Sequence, residues 1–221
     1  FRTAAMQDVS FYDDETNWFD SDSVIINWLE YLHTLQVLQE NRDNHFNIPN
    51  DLRIKKAGLI KLETSYKNKV KNDVKMIRRF LNDDQVSVSN LWDFQLAITS
   101  SKGGIELYDF SDGVITKIDT HEYEDDNQLI RDLNDYNHRL NVLVVINKAT
   151  MGTDVPNLST GLVLRTPVAK NPSKDPVTLM GQQLTGRFVR LKKRIELLTP
   201  HFDNKKDFIN CDLIFLDAPK D

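Results

Sequence analysis

The run Val142-Leu143-Val144-Val145-Ile146 constrains this chain more than any other stretch. It has no polar face, so a strand built from it has to be covered on both sides. Such a strand belongs inside a parallel sheet with helices on each face. The rest of the chain keeps the matching rhythm. Strand-like apolar runs at Ala57–Glu63, Phe94–Thr99, Gly161–Leu164 and Cys211–Leu216 alternate with helical patterns. Those patterns fall at Ser23–Gln39, around Val70–Leu81, at Asp126–Leu140 and at Val177–Leu198. The expected fold class is therefore α/β, a mostly parallel sheet flanked by helices, with an N-terminal helical extension.

Within that frame the local signals are specific. Val24, Ile25, Trp28, Leu29, Leu32, Leu35 and Leu38 recur at helical spacing, with Ser21, Asp22 or Ser23 as candidate caps. Asn41–Asp51 reads as a polar loop punctuated by Pro49. The second helix carries Val70, Val74, Ile77 and Leu81 as its apolar stripe and lysines and arginines elsewhere. Residues 105–119 suggest a hairpin turning at Asp112-Gly113. The third helix should bury Leu129, Ile130, Leu133 and Tyr136. Residues 1–50 are expected to form a connection and an accessory helix, and residues 51–221 the α/β lobe.

Composition excludes several classes. No apolar run has the length of a membrane span, and no signal-peptide pattern opens the chain. The single cysteine, Cys211, rules out an internal disulfide framework and suits a reducing cytoplasm. The five histidines lack metal-like spacing. The net charge of −5 conceals basic segments at 53–79 and 187–194, which matter locally for phosphate binding. A start at Phe1 rather than methionine suggests a piece of something longer.

The chemistry concentrates where strands end, because ligands of open parallel sheets collect at the carboxyl ends of the strands. Those ends are polar here: Thr64-Ser65, Thr99-Ser100, Asn147 through Thr150, and Arg165-Thr166-Pro167. Hydroxyls and main-chain N–H groups at such junctions bind phosphates, so one rim of them could track a sugar–phosphate backbone. After the central run comes Asn147-Lys148-Ala149-Thr150-Met151-Gly152-Thr153-Asp154-Val155-Pro156. Further on, Gln183, Gly186, Arg187 and Arg190 occupy positions i, i+3, i+4 and i+7 of one helical face. Alone, a Gly-x-Asp is turn chemistry and a pair of helical arginines is a solvated face.

In this order the two segments resemble motifs V and VI of superfamily 2 helicases and translocases. The first is similar to the form found in restriction-enzyme motor subunits, and Gln-x-x-Gly-Arg-x-x-Arg is matched in full. The resemblance implies the C-terminal RecA-like lobe of a two-lobed motor that hydrolyses ATP with Mg²⁺ and moves along DNA, with RNA the alternative strand. It implies Arg190 as arginine finger, Arg187 as a second phosphate or interlobe contact, and Gln183 near the phosphate end. Gly152, Asp154 and Gly186 would face the nucleotide cleft. Asn147 and Thr150 would lie near the nucleic-acid backbone, beside Thr64, Ser65, Thr99 and Ser100. Thr150-Met151 departs from the usual residues of the motif.

The expected partners are the N-terminal RecA-like lobe of the same polypeptide and a nuclease or modification subunit. No Gly-Lys-Ser/Thr loop and no Asp-Glu magnesium motif occurs in the sequence. This lobe alone should therefore not hydrolyse ATP. The competing expectation is a non-catalytic nucleic-acid- or protein-binding module with a helicase-like fold.

Overall fold

In a computed structural model of the chain, the structure describes residues 18–53, 55–62, 70–84, 86–100, 104–119, 123, 125–146, 158–163 and 212–215. The elements in order are α1 (Trp18–His45), β1 (Ala57–Leu62), α2 (Val70–Asn82), β2 (Phe94–Ser100) and β3 (Ile105–Ser111). They continue with β4 (Val114–Ile118), α3 (Asp126–Asn134), β5 (Leu140–Ile146), β6 (Leu158–Val163) and β7 (Asp212–Phe215). The strands form one seven-stranded sheet in the order β4-β3-β2-β5-β1-β6-β7. β2, β5, β1, β6 and β7 run parallel, and the hairpin β3–β4 extends the sheet antiparallel to β2. The chain is thus α/β with a mostly parallel sheet, as its apolar runs predict.

The hand of the crossovers decides which face each helix covers. From β1 the chain moves past β5 to reach β2, and from β2 it comes back to β5. Reversing direction with the same right-handed crossover puts α2 and α3 on opposite faces. The core accordingly has two halves. Met76, Ile77, Phe80 and Leu81 of α2 pack with Val24, Ile25, Trp28, Leu29 and Leu32 of α1 on Ile60, Val142 and Val144. Leu129 and Leu133 of α3 pack on Leu59, Leu143 and Val145 from the other side. All seven residues of β5 are buried, Asn141 included, which is why Val142–Ile146 reads as an unbroken apolar run.

Gly58 brings α1 close to the sheet. A Cβ built there would stand 2.7 Å from Cη2 of Trp28 and 2.8 Å from Cδ2 of Leu32. The indole lies across the space that a side chain would fill, and its Nε1 donates to Thr160 Oγ1 on β6 at 3.1 Å. Beside α1, His33, Trp92, Phe94 and Phe110 form a continuous stack of rings, with centroids 4.8, 4.2 and 4.3 Å apart. The stack joins α1 to the amino-terminal end of β2.

Several boundaries differ from the sequence expectation. α1 starts before Ser21, Asp22 and Ser23, so these candidate caps lie within it, and it runs through residues expected to form a loop. Its last turns are polar but braced by i,i+4 side-chain bonds, Gln36 to Glu40 at 2.6 Å and Gln39 to Asp43 at 2.7 Å. The end is a Schellman motif. Ile48 N–H donates to Asp43 O, Asn47 N–H donates to Asn44 O, and Asn47 adopts φ 51°. Asn47→Gly should leave stability unchanged or slightly raised, whereas Asn47→Val should cost about 1–2 kcal/mol, because a β-branched residue resists the left-handed region. Urea midpoints of the two variants check this, and equal values would mean that the cap contributes nothing to stability.

α3 is also shorter than expected. It begins with Asp125 accepting from Gln128 N–H and stops at Asn134, where Asp135 is extended. Leu140, expected as the helix end, opens β5 instead, and Tyr136 lies in the intervening turn. β6 begins three residues before the expected Gly161 because Ser159 and Thr160, polar in sequence, are buried in the sheet. β2 and β5 each extend by a residue or two. The hairpin turns at Asp112 (φ 52°) and Gly113 (φ 74°), both left-handed, as a two-residue type I′ turn requires. The expected helix at 177–198 lies outside the described residues. Among those described, no helix is long and apolar enough to cross a membrane.

Candidate nucleotide and nucleic-acid rim

Parallel pairing collects four carboxyl ends on one rim. Leu62 is level with Ile146, Ser100 is level with Ile146, and Lys61 is level with Val163. Each of the four segments expected to carry chemistry therefore begins here, although Arg165, Thr166 and Pro167 lie outside the described residues. Thr64-Ser65 follows β1 and the segment from Asn147 follows β5, the strand between β1 and β2. Residues Thr64, Ser65, Asn147, Thr150, Gly152, Asp154, Gln183, Gly186, Arg187 and Arg190 themselves lie outside the described residues.

Two of the expected contacts are described. Thr99 is 4% exposed and its Oγ1 donates to Asp126 Oδ1 at 2.8 Å. That bond ties the first residue of α3 to the end of β2, so the hydroxyl holds the rim's geometry. Ser100, the last residue of β2, is half-buried at the rim itself, and its N–H donates to Gly104 O at 3.4 Å. Of the two, Ser100 is the one partly exposed at the rim.

Sequence reasoning passed over Lys61. It shares a row across the sheet with Thr99, Val145 and Val163, one residue short of the strand ends, and it is 3% exposed. A lysine level with Val145 and Val163 on the interior strand β1 places an amine directly below the rim. The signal was present in the sequence, since Lys61 is the one charged residue inside the apolar run of β1.

A second buried lysine, Lys55, serves the opposite rim. Its Nζ donates to Asp132 O at 2.7 Å and to His138 O at 2.8 Å, bridging the last turn of α3 to the turn before β5. This clamp satisfies a carbonyl of the last turn of α3, beside the point where the helix stops. Burial pushes the ammonium down to about 7, a shift that the neighbouring carboxylates of Asp135 and Asp132 oppose. A neutral amine keeps two N–H donors, enough for both carbonyls, so the clamp survives loss of the proton.

The pH dependence follows in sign. Between about pH 7 and 10.5 the unfolded chain holds a proton on Lys55 that the folded chain has released, so stability rises with pH across that window. The contribution is complete above 10.5 and is lost as pH falls towards 7. Urea titrations at several pH values should show wild type gaining about 1 kcal/mol per pH unit over Lys55→Met just above neutrality. Parallel pH profiles for the two proteins would mean that Lys55 keeps its proton when folded.

Among the described residues no group of three or more His, Cys, Asp or Glu side chains could hold a metal ion. Comparison with protein-family models, with curated proteins and with solved structures returns no match for this chain.

Proposed function

We propose that this chain is the second, RecA-like lobe of an ATP-dependent superfamily 2 DNA helicase or translocase, of the restriction-enzyme motor type. The observation that carries the reading is the motif pair, Asn147 through Pro156 followed by Gln183 through Arg190 on one helical face. The fold supports it by putting β5, whose carboxyl end leads into the first motif, in the interior of a mostly parallel sheet. Its carboxyl end is flanked by those of β1 and β2, and a ligand at that point meets three loops at once.

On this reading the chain supplies the trans-acting face of an ATP cleft. Arg190 and Arg187 neutralise charge on the transferring phosphoryl group, Gln183 orients its phosphate end, and Gly152, Asp154 and Gly186 line the interlobe surface. The phosphate cradle and Mg²⁺ belong to the partner lobe. Thr64, Ser65, Ser100, Asn147 and Thr150 contact the nucleic-acid backbone, with Lys61 adding positive potential beneath them.

The full polypeptide should hydrolyse ATP faster when DNA is added. Neutralising Lys67, Lys69 and Lys71 together should reduce the salt dependence of DNA binding, since each phosphate left unneutralised lowers the slope by about 0.9 for duplex DNA. DNA binding without any nucleotide hydrolysis would return the chain to a non-catalytic binding module. An unchanged salt slope would return those lysines to a solvated surface.

A further inference from the structure

The amino-terminal rim holds a feature that the motor reading does not use. A cavity of about 400 Å³ opens between the end of α2 and the turn of the β3–β4 hairpin. That volume is within the range of ligand pockets. Its apolar wall is built from Leu81, Val86 and Ile115. Its mouth carries Asp83 and Asp84, which directly follow the last residue of α2. The carbonyl end of a helix is the negative end of its dipole, so the mouth is electronegative from main chain and side chains together. Lys117 also lines the cavity, but its ammonium sits 3.0 Å from Glu106, which Arg78 shares, and Asp83 lies 4.0 Å from Arg79, so Asp84 is the carboxylate on which the acidic character of the cavity rests.

The cavity adjoins an open sheet edge. β4 is the outermost strand, with no strand beyond it among the described residues. In a two-residue hairpin Ser111 and Val114 form the hydrogen-bonded pair, and the alternation that follows directs Val114, Thr116 and Ile118 main chain towards β3. The main-chain N–H and C=O groups of Ile115 and Lys117 therefore point away from the sheet. Val114, at the start of this edge, is 59% exposed.

We propose that this corner docks an extended segment of a partner protein, added as a strand along β4 and anchored by an arginine or lysine reaching into the cavity. Edge addition supplies main-chain hydrogen bonds, and a neighbouring pocket supplies side-chain selectivity. A long basic side chain fits both parts of this pocket, its methylenes against Leu81 and Val86 and its charge against Asp84. The acidic mouth disfavours phosphate, which separates this surface from nucleic acid. It lies at the opposite end of the parallel strands from the proposed ATP and DNA rim, so both can be occupied together.

The test uses fluorescein-labelled pentapeptides Thr-Val-X-Ile-Thr, with X as arginine, leucine or glutamate, titrated by fluorescence anisotropy against the full chain. The arginine peptide should bind at least about tenfold more tightly than the glutamate peptide. Asp84→Lys should abolish that preference. Lys117→Pro, which deletes one outward N–H while leaving the ladder to β3 intact, should weaken all three peptides. Circular dichroism verifies that each variant folds, and Asp84→Asn replaces Asp84→Lys if the latter does not. Equal binding of the three peptides, an unaltered preference in the Asp84 variant, or no binding up to about 1 mM would each overturn the proposal. Self-association broken by Lys117→Pro, with no peptide binding, would overturn it in favour of a second copy of this chain.

Discussion

In the full polypeptide, Arg190→Ala is expected to lower DNA-stimulated ATP turnover by about 10³-fold or more while leaving ATP affinity within a few-fold of wild type. The separation of the two effects follows from where charge develops. A finger arginine from the second lobe meets the phosphoryl group most closely as the bond to the leaving oxygen breaks. On the proposed reading, ground-state binding would be carried mainly by the phosphate cradle of the other lobe. Arg190→Lys should rescue little, since an ammonium cannot reproduce the planar fork of a guanidinium. Fluorescent-nucleotide binding and steady-state hydrolysis, measured on the same preparations, read the two quantities separately. Wild-type turnover in Arg190→Ala would end the finger assignment and, with it, most of the support for a motor.

The largest expected effect on stability belongs to Trp28. Trp28→Ala removes a buried indole from the half of the core that α1, α2 and the sheet share, and it strips the buried Thr160 hydroxyl of its donor. Large aromatic truncations of this kind cost about 3–5 kcal/mol. Its neighbour Gly58 sharpens the test. Gly58→Ala pushes a methyl into the indole and the Leu32 side chain, for a cost of about 1–3 kcal/mol. With Trp28 already replaced by leucine the methyl finds room, so the two costs should sum to more than the double variant loses. Additive values in urea denaturation would show that α1 and β1 have slack enough between them to take up a methyl.

These two residues also mark what the sequence could and could not convey. Trp28 was legible as a core position from its helical spacing, and the parallel sheet was legible from the apolar runs of β1, β2 and β5. Gly58 looked like an ordinary strand residue, because only the packed helix reveals why a side chain is excluded. The end of α1 was hidden since Arg42, Asn44 and His45 have loop-like polarity, and the helix persists through side-chain bonds and an asparagine cap. The boundary between α3 and β5 was hidden because Leu133, Tyr136 and Leu140 continue the helical period, while the Lys55 amine that bonds the carbonyls on either side of the boundary comes from a distant segment. Ser159 and Thr160 concealed the start of β6.

At the candidate site, the motif residues were readable as chemistry in the sequence, and the described geometry reaches them only through the strand ends that precede them. Thr99 shows why polarity at a strand end does not suffice. Its hydroxyl is committed to Asp126, inside the structure. Lys61 shows the converse, a charged residue that an apolar run disguises as noise until the register sets it under the rim.

The bond from Trp28 to Thr160 spans 132 residues, and it has a consequence for the order in which the molecule can be made. α1 leaves the ribosome first among the described elements, yet the surface it rests on includes β6, which is translated much later. Until Thr160 has emerged, the nascent helix has no completed seat for its indole and must wait with an apolar stripe uncovered. Synthesis therefore passes through an interval in which the first of the described helices still has part of its apolar surface uncovered, and a chaperone that recognises apolar helices would find it there.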